Sequence, residues 1–332
     1  MARAQILERP APADSSPLKA VTVADLDIAP DEVLIDVAAC GVCRTDLQLC
    51  EGDLRAHQLP IVPGHQIVGT VAAIGSEVSP HRLGERVGVA WIASACGICR
   101  YCTRGLENLC DHAAFTGWDR DGGFAERVTA RSDFAYPLPD DFSDMAAAPL
   151  LCGGVIGYRA LGIAGVEPGQ RIGLYGFGSS ATSVIQIAVH WGCEVFVATR
   201  SRHEQQRALD LGAAWAAGYD QEPPAPLDAA ITFAPVGDVA IRALEALDKG
   251  GTLAINAIHL DRIPEFSYDL LWEERSIRSV ANVTRRDIVE LLELAIEIPI
   301  VSQTQEYALD DANRALLDLR EGRVSGSAVL RM

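Results

Sequence analysis

The sequence predicts an α/β protein in two parts, an irregular β-rich domain followed by a doubly wound parallel sheet. Three observations lead there. At 332 residues the chain is longer than one core usually supports, which favours two domains of about 150 residues each. The first half reads as short β-rich stretches, such as Val33 to Ala38 and Gln66 to Ile74, broken by Gly and Pro. From about Gly154 apolar strands alternate with helical stretches, the pattern of a parallel sheet covered on both faces.

Taken in order, the parallel strands are expected at Arg171 to Tyr175, Glu194 to Thr199, Asp228 to Phe233, Gly251 to Asn256 and Ile277 to Ala281, with a helix at Thr182 to Trp191. Gln221 to Pro226 reads as a surface connection. After Asn282 come a helix at Asp287 to Ile296, the stretch Gln303 to Tyr307, a helix at Asp310 to Leu319 and a last strand at Ala328 to Leu330. Local pattern alone does not decide where those final residues go. The division expected is residues 1–153, residues 154–283, and residues 284–332 returning to the first domain.

A hydrophobic content of 49% with no apolar run of about 20 residues predicts a folded protein without a membrane span. The segment Met1 to Pro30 lacks the charged, apolar and small-residue parts of a secretory signal, so a cytoplasmic location is expected. A net charge of −17 argues against a nucleic-acid partner, since such binding draws on clustered Lys and Arg.

Nine cysteines, in a reducing compartment, read as metal ligands or catalytic groups rather than disulfides. Cys96, Cys99, Cys102 and Cys110 have the spacing C-x2-C-x2-C-x7-C, which lets one loop surround a zinc ion with four thiolates. Iron-sulfur runs usually differ in spacing, and four ordinary core cysteines within fifteen residues is a poorer account still. A closed four-thiolate site leaves no position for a substrate, so its role is structural.

Three further segments carry ligand types: Cys40-Gly-Val-Cys43-Arg-Thr-Asp46, Pro63-Gly-His65-Gln66 and Pro149-Leu-Leu-Cys152-Gly. Each alone is weak. Together with the four-cysteine lobe, in this order and spacing, the chain resembles over nearly its whole length the zinc-dependent alcohol dehydrogenases of the medium-chain dehydrogenase/reductase superfamily. The resemblance implies a GroES-like catalytic domain and a Rossmann cofactor domain. It implies Cys43, His65 and Cys152 as ligands of a catalytic zinc, the second of two per chain, with a fourth position left for water or the substrate oxygen. An ion so held lowers the pKa of its bound oxygen, and the nicotinamide accepts the hydride, interconverting a primary or secondary alcohol with its aldehyde or ketone.

Within the C-x-x-C, the family register selects Cys43 over Cys40. Asp46 matches the carboxylate that orients the ligand histidine. Thr45 is the residue expected to receive the alcohol proton. Gln48 stands where the family often has a relay histidine; an amide does not titrate near neutrality, so the proton is expected to leave through water or cofactor hydroxyls. Gln66 replaces a common glutamate, which leaves the metal site more electropositive.

Gly176-Phe-Gly178-Ser179-Ser180-Ala181 follows an apolar strand and precedes a helix, the setting in which G-x-G-x-x-A cradles a pyrophosphate. Arg44 matches a family position that contacts the same group, whereas Ser327 stands where a second arginine is often found. At the ribose position Thr199 replaces the acid of NAD-specific relatives, and Arg200 and Arg202 follow it, which favours NADP(H) slightly over NAD(H). Leu54, Trp91, Phe115 and Trp118 are the expected substrate pocket. A homodimer or homotetramer is implied through the strand near Ile277 to Ala281. Two other readings compete: a zinc-independent NADPH quinone or enone reductase of the same superfamily, which generally lacks both cysteine sets, and a non-catalytic zinc-stabilised cofactor-binding protein.

Overall fold

Eleven residues of small and apolar character, Glu32–Val42, are buried along nearly their whole length, and a strand buried in this way needs partners on both edges. Gln66–Ile74 pairs antiparallel along one edge, while Arg127–Arg131 and the C-terminal strand Ser327–Arg331 share the other. Arg86–Val89 and Ala135–Pro137 extend one side of this seven-stranded sheet and Thr304–Ala308 the other. Register shifts at Leu34/Ile35 and Val37/Ala39 bend the central strand, as bulges do. Ile35, Leu47, Ile61, Ile67 and Phe124 are among the fully buried side chains of its core.

The computed structural model describes residues 1–332 except Asp25, His259 and Pro299. It divides into one unit of Met1–Cys152, Asn282–Ile296 and Val301–Met332, and a second of Gly153–Ala281 with Glu297–Ile300. The final residues therefore belong with the first unit, apart from the four at Glu297–Ile300.

The second unit is a six-stranded sheet, all parallel, in the spatial order Trp215–Ala217, Glu194–Ala198, Arg171–Tyr175, Leu227–Thr232, Leu247–Ile255, Ser276–Ser279. Numbered along the chain this is 3-2-1-4-5-6, the doubly wound order that reverses between the first and fourth strands and binds ligands beyond the carboxyl ends there. The short strand Trp215–Ala217 has no strong periodic signal and is absent from the sequence expectation. One other difference bears on function. The helix expected at Thr182 to Trp191 is Ser179–His190, because Gly178 itself is the residue preceding its first turn.

The four-cysteine loop is tied to the C-terminal segment of its own unit. The buried carboxylate of Glu107 accepts bonds from the Arg285 backbone N–H at 2.7 Å and from its guanidinium Nη2 at 2.8 Å. That guanidinium also reaches Asp133 at 3.2 Å and lies 4.8 Å from the Phe134 ring centroid. Removing one partner strands a buried charge. Arg285→Met should therefore destabilise the protein by about 2 kcal/mol, less than for a fully buried pair because Arg285 is 39% exposed. Thermal unfolding checks this, and Glu107→Gln added to Arg285→Met should recover most of the loss.

Candidate metal centres and cofactor loop

The helix Arg44–Glu51 begins immediately after Cys43, whose backbone N–H donates to Asp46 Oδ2 at 2.8 Å. The other carboxylate oxygen of Asp46 accepts from the Gly64 N–H at 3.2 Å and lies 3.3 Å from His65 Nδ1. Gly64 takes a positive φ of 98°, and a Cβ there would sit 2.4 Å from the Phe124 ring, so only glycine allows this turn. One buried carboxylate thus fixes both the segment that carries Cys43 and the segment that carries His65. Cys152 arrives from a third place, the end of the short 3-10 turn Ala148–Leu151.

The ligating atoms of Cys43, His65 and Cys152 all lie within 4.8 Å of one another. Cys43 Sγ is 3.4 Å from His65 Nε2, against about 3.6 Å for a sulfur and a nitrogen sharing one tetrahedral zinc ion. The donor set fits a divalent soft cation with one position left open. Cys40, the competing half of the C-x-x-C, is buried elsewhere, with its Sγ directed to the Gly41 carbonyl at 3.7 Å.

Electrostatics in this cluster favour the same cation. A hydrogen bond from Cys152 holds the Cys43 thiol well below the usual range, against burial and with His65 adding to the pull. As the other half of that bond, and buried, the Cys152 thiol is pushed up. Burial opposes charge on His65, yet Asp46 and Cys43 outweigh it and push its pKa up to about 10. Burial raises the Asp46 carboxyl, with His65 opposing. A divalent ion among these atoms would take the place of the protons on Cys152 and His65.

Cys96, Cys99, Cys102 and Cys110 form the second donor cluster. The Sγ separations of 3.9 Å for Cys96–Cys102 and 3.5 Å for Cys99–Cys102 bracket the roughly 3.8 Å of a tetrahedral zinc tetrathiolate. The N–H groups of Cys99, Cys102 and His112 point at the sulfurs of Cys96, Cys99 and Cys110, between 3.4 and 3.5 Å away. Backbone N–H groups pull the Cys96 thiol down to about 6, suited to a thiolate ligand.

Around the three-ligand cluster, Thr45 and Gln48 are half-buried and Arg44 is exposed on the same helix. Gln66 is buried, beside Gly41. Leu54 is half-buried against the sheet core. The small pair Ile92–Ser94 and Ala114–Phe115 sets Trp91 beside Phe115, with ring centroids 5.2 Å apart. Trp91 also meets Trp118 at 5.7 Å and the His65 ring edge-on at 4.9 Å. The structure thereby brings Trp91, Phe115 and Trp118 together. It adds two residues the sequence did not signal, His57 and Asp119, joined at 2.5 Å although 62 positions apart.

In the second unit Gly176 ends the first strand with φ of 92°, where a Cβ would lie 2.9 Å from the Ala234 nitrogen. Gly178 precedes the helix, and Ser179, Ser180 and Ala181 stand in its first turn. Thr199 is buried at the end of the second strand, while Arg200 and Arg202 are exposed. Ser201 caps the helix Arg202–Asp210 by accepting from the Glu204 N–H. Arg207, which no local pattern marks, donates to Thr182 Oγ1 at 2.7 Å and lies over Phe177, tying the glycine loop to the next helix.

Residues 29–140 match the alcohol dehydrogenase GroES-like domain family and residues 181–297 the zinc-binding dehydrogenase family. A probable alcohol dehydrogenase of Mycobacterium tuberculosis is 50% identical over 98% of this chain and 95% of its own length. An alcohol dehydrogenase of Geobacillus stearothermophilus is 33% identical over 91% of each chain. Among solved structures, a cinnamyl alcohol dehydrogenase from Sorghum bicolor superposes with a TM-score of 0.90 at 25% identity, covering 99% of this chain and 97% of that one. With the two cysteine clusters and the parallel-sheet unit already in place, these likenesses make the chain a member of the zinc-type alcohol dehydrogenases of the medium-chain dehydrogenase/reductase superfamily.

Proposed function

We propose that Cys43, His65 and Cys152 hold the catalytic zinc of this alcohol dehydrogenase, that Cys96, Cys99, Cys102 and Cys110 hold a second, structural zinc, and that NADP(H) is preferred to NAD(H). The observation that carries the reading is the contrast between the clusters, one of four thiols and one of two thiols with an imidazole. When bound, zinc supplies the Lewis acidity that makes an alcohol proton removable near neutral pH, and the nicotinamide supplies the hydride acceptor.

The chain's own residues do the rest. Asp46 holds the His65 ring through the Nδ1 side, leaving Nε2 to face the metal position. Thr45, two residues after Cys43 in the first helical turn, takes the alcohol proton. Gln48, one turn later, positions water but does not itself titrate. Trp91, Phe115, Trp118 and Leu54 exclude water from the substrate side. The first-turn N–H groups of Ser179, Ser180 and Ala181, with Arg44, bind the pyrophosphate. Thr199 leaves room for a 2′-phosphate that an acid would repel, and Arg200 and Arg202 pair with it.

The edge strand Ser276–Ser279 has no strand on its outer side among the described residues, and Tyr268 and Trp272 are exposed in the segment before it. These features support pairing of two copies along that edge. A reducing, cytoplasmic setting is proposed with this reading, in which the thiols stay available as metal ligands.

Metal analysis alongside a spectrophotometric screen of alcohols and aldehydes tests the two-zinc reading. The native protein should contain two zinc ions per chain. Cys152→Ser should lose one of them with at least about 100-fold of turnover while keeping most of its thermal stability. Unchanged turnover in zinc-free protein would overturn the assignment. For the cofactor, kcat/KM should be higher with NADP, and Thr199→Asp should move the ratio toward NAD by about tenfold or more. A strong wild-type preference for NAD would overturn that part.

A further inference from the structure

The aromatic wall beside the metal cluster continues past the residues the reaction uses. Trp118 packs on Trp91 and Phe115, both at 5.7 Å, and on its other side stacks against His57, whose ring lies 3.9 Å away at 26°. Four rings thus run in contact from the metal-ligand imidazole of His65 to a second imidazole that is 53% exposed.

His57 is held in place unusually firmly for an exposed loop side chain. Its Nδ1 bonds Asp119 Oδ1 at 2.5 Å. Asp119 is itself locked, with Oδ2 accepting from the Phe115 N–H at 2.8 Å and its own N–H donating to the Phe115 carbonyl at 2.9 Å. The indole N–H of Trp118 donates to the Arg55 carbonyl at 2.9 Å, fastening the stacking partner to the same loop. Immobilising an exposed side chain costs rotamer entropy, and an exposed hydrogen bond to a carboxylate offsets little of it. The bond to Asp119 assigns one ring nitrogen, and among the described residues Nε2 has no hydrogen-bond partner. A ring oriented in this way, at the end of an apolar wall that starts at a metal ligand, is the arrangement by which a pocket reads one polar group on an otherwise apolar ligand.

We propose that His57 is a specificity-determining residue that recognises a hydroxyl at the distal end of an aryl-bearing alcohol or aldehyde, and that Asp119 is its positioning residue. The inference rests on the proposed assignment of Trp91, Phe115 and Trp118 to the substrate pocket. The ring of the substrate lies along the indole wall, its reacting carbon at the His65 end and its hydroxyl at Nε2 of His57.

The test measures binding and turnover separately on the zinc-loaded enzyme. The probes are arylalkyl alcohols of graded spacer length, each with and without a para-hydroxyl, and binding is followed by intrinsic tryptophan fluorescence. At one spacer length the wild-type protein should bind the hydroxylated member about 3- to 10-fold more tightly than its unsubstituted partner. His57→Phe, which keeps the stack and removes Nε2, should bring that ratio to one while leaving the unsubstituted alcohol's Kd and kcat within about twofold. Asp119→Asn should give an intermediate ratio with the same unchanged baseline, which a general loosening of the loop would not. A ratio of one at every length in wild type, or a ratio that survives His57→Phe, overturns the inference. Absence of turnover with the binding ratio intact would fault the catalytic reading and uphold the subsite.

Discussion

The buried carboxylate of Asp46 is the constraint on which the catalytic arrangement depends. It accepts from the Cys43 backbone, accepts from the Gly64 backbone and faces His65, so two segments distant in sequence are referred to one group. Burying a carboxylate is costly unless its lone pairs are satisfied, and here the groups that satisfy it are the supports of two of the proposed metal ligands. The cost of burial and the rigidity of the site are therefore one fact. The positive φ at Gly64 completes it, since that turn aims the N–H at Asp46 while the next residue delivers the imidazole.

The roles proposed for the two cysteine clusters differ for geometric reasons. Four thiols from a single loop close around a point and leave no room for a substrate. Two thiols and an imidazole from three separate segments leave one side open. The closed lobe is not isolated, because Glu107 within it is clamped by Arg285 at the start of the helix Arg285–Glu297. Its contribution is to hold a long loop and the C-terminal segment of the same unit in register, which is a structural task.

What the sequence made legible was local. The spacing Cys96, Cys99, Cys102, Cys110 needs only a tight loop to become a site, and Gly176 to Ala181 needs only a strand before it and a helix after it. Trp215–Ala217 was not legible, because three residues, two of them half-buried and one buried, carry no period. The helix start was misplaced by three residues because Ser179 and Ser180 look like loop residues, although they stand in the first turn. The position of Ser327–Arg331 was undecidable from pattern, since such a strand reads alike in either sheet; pairing with Glu32–Val42 decides it. His57 and Asp119, like Glu107 and Arg285, are distant in sequence and carry no motif, so only the fold reveals them.

The central claim is that the chain carries a closed four-sulfur zinc centre and an open centre of two sulfurs and one imidazole. X-ray absorption at the zinc edge on the isolated protein tests it most directly, because it reads the ligands without relying on turnover. Six thiolates and one imidazole shared between two ions predict an average of three sulfurs and one nitrogen or oxygen per zinc, with imidazole scattering present. An average of four sulfurs with one zinc per chain and no imidazole signal would contradict the account.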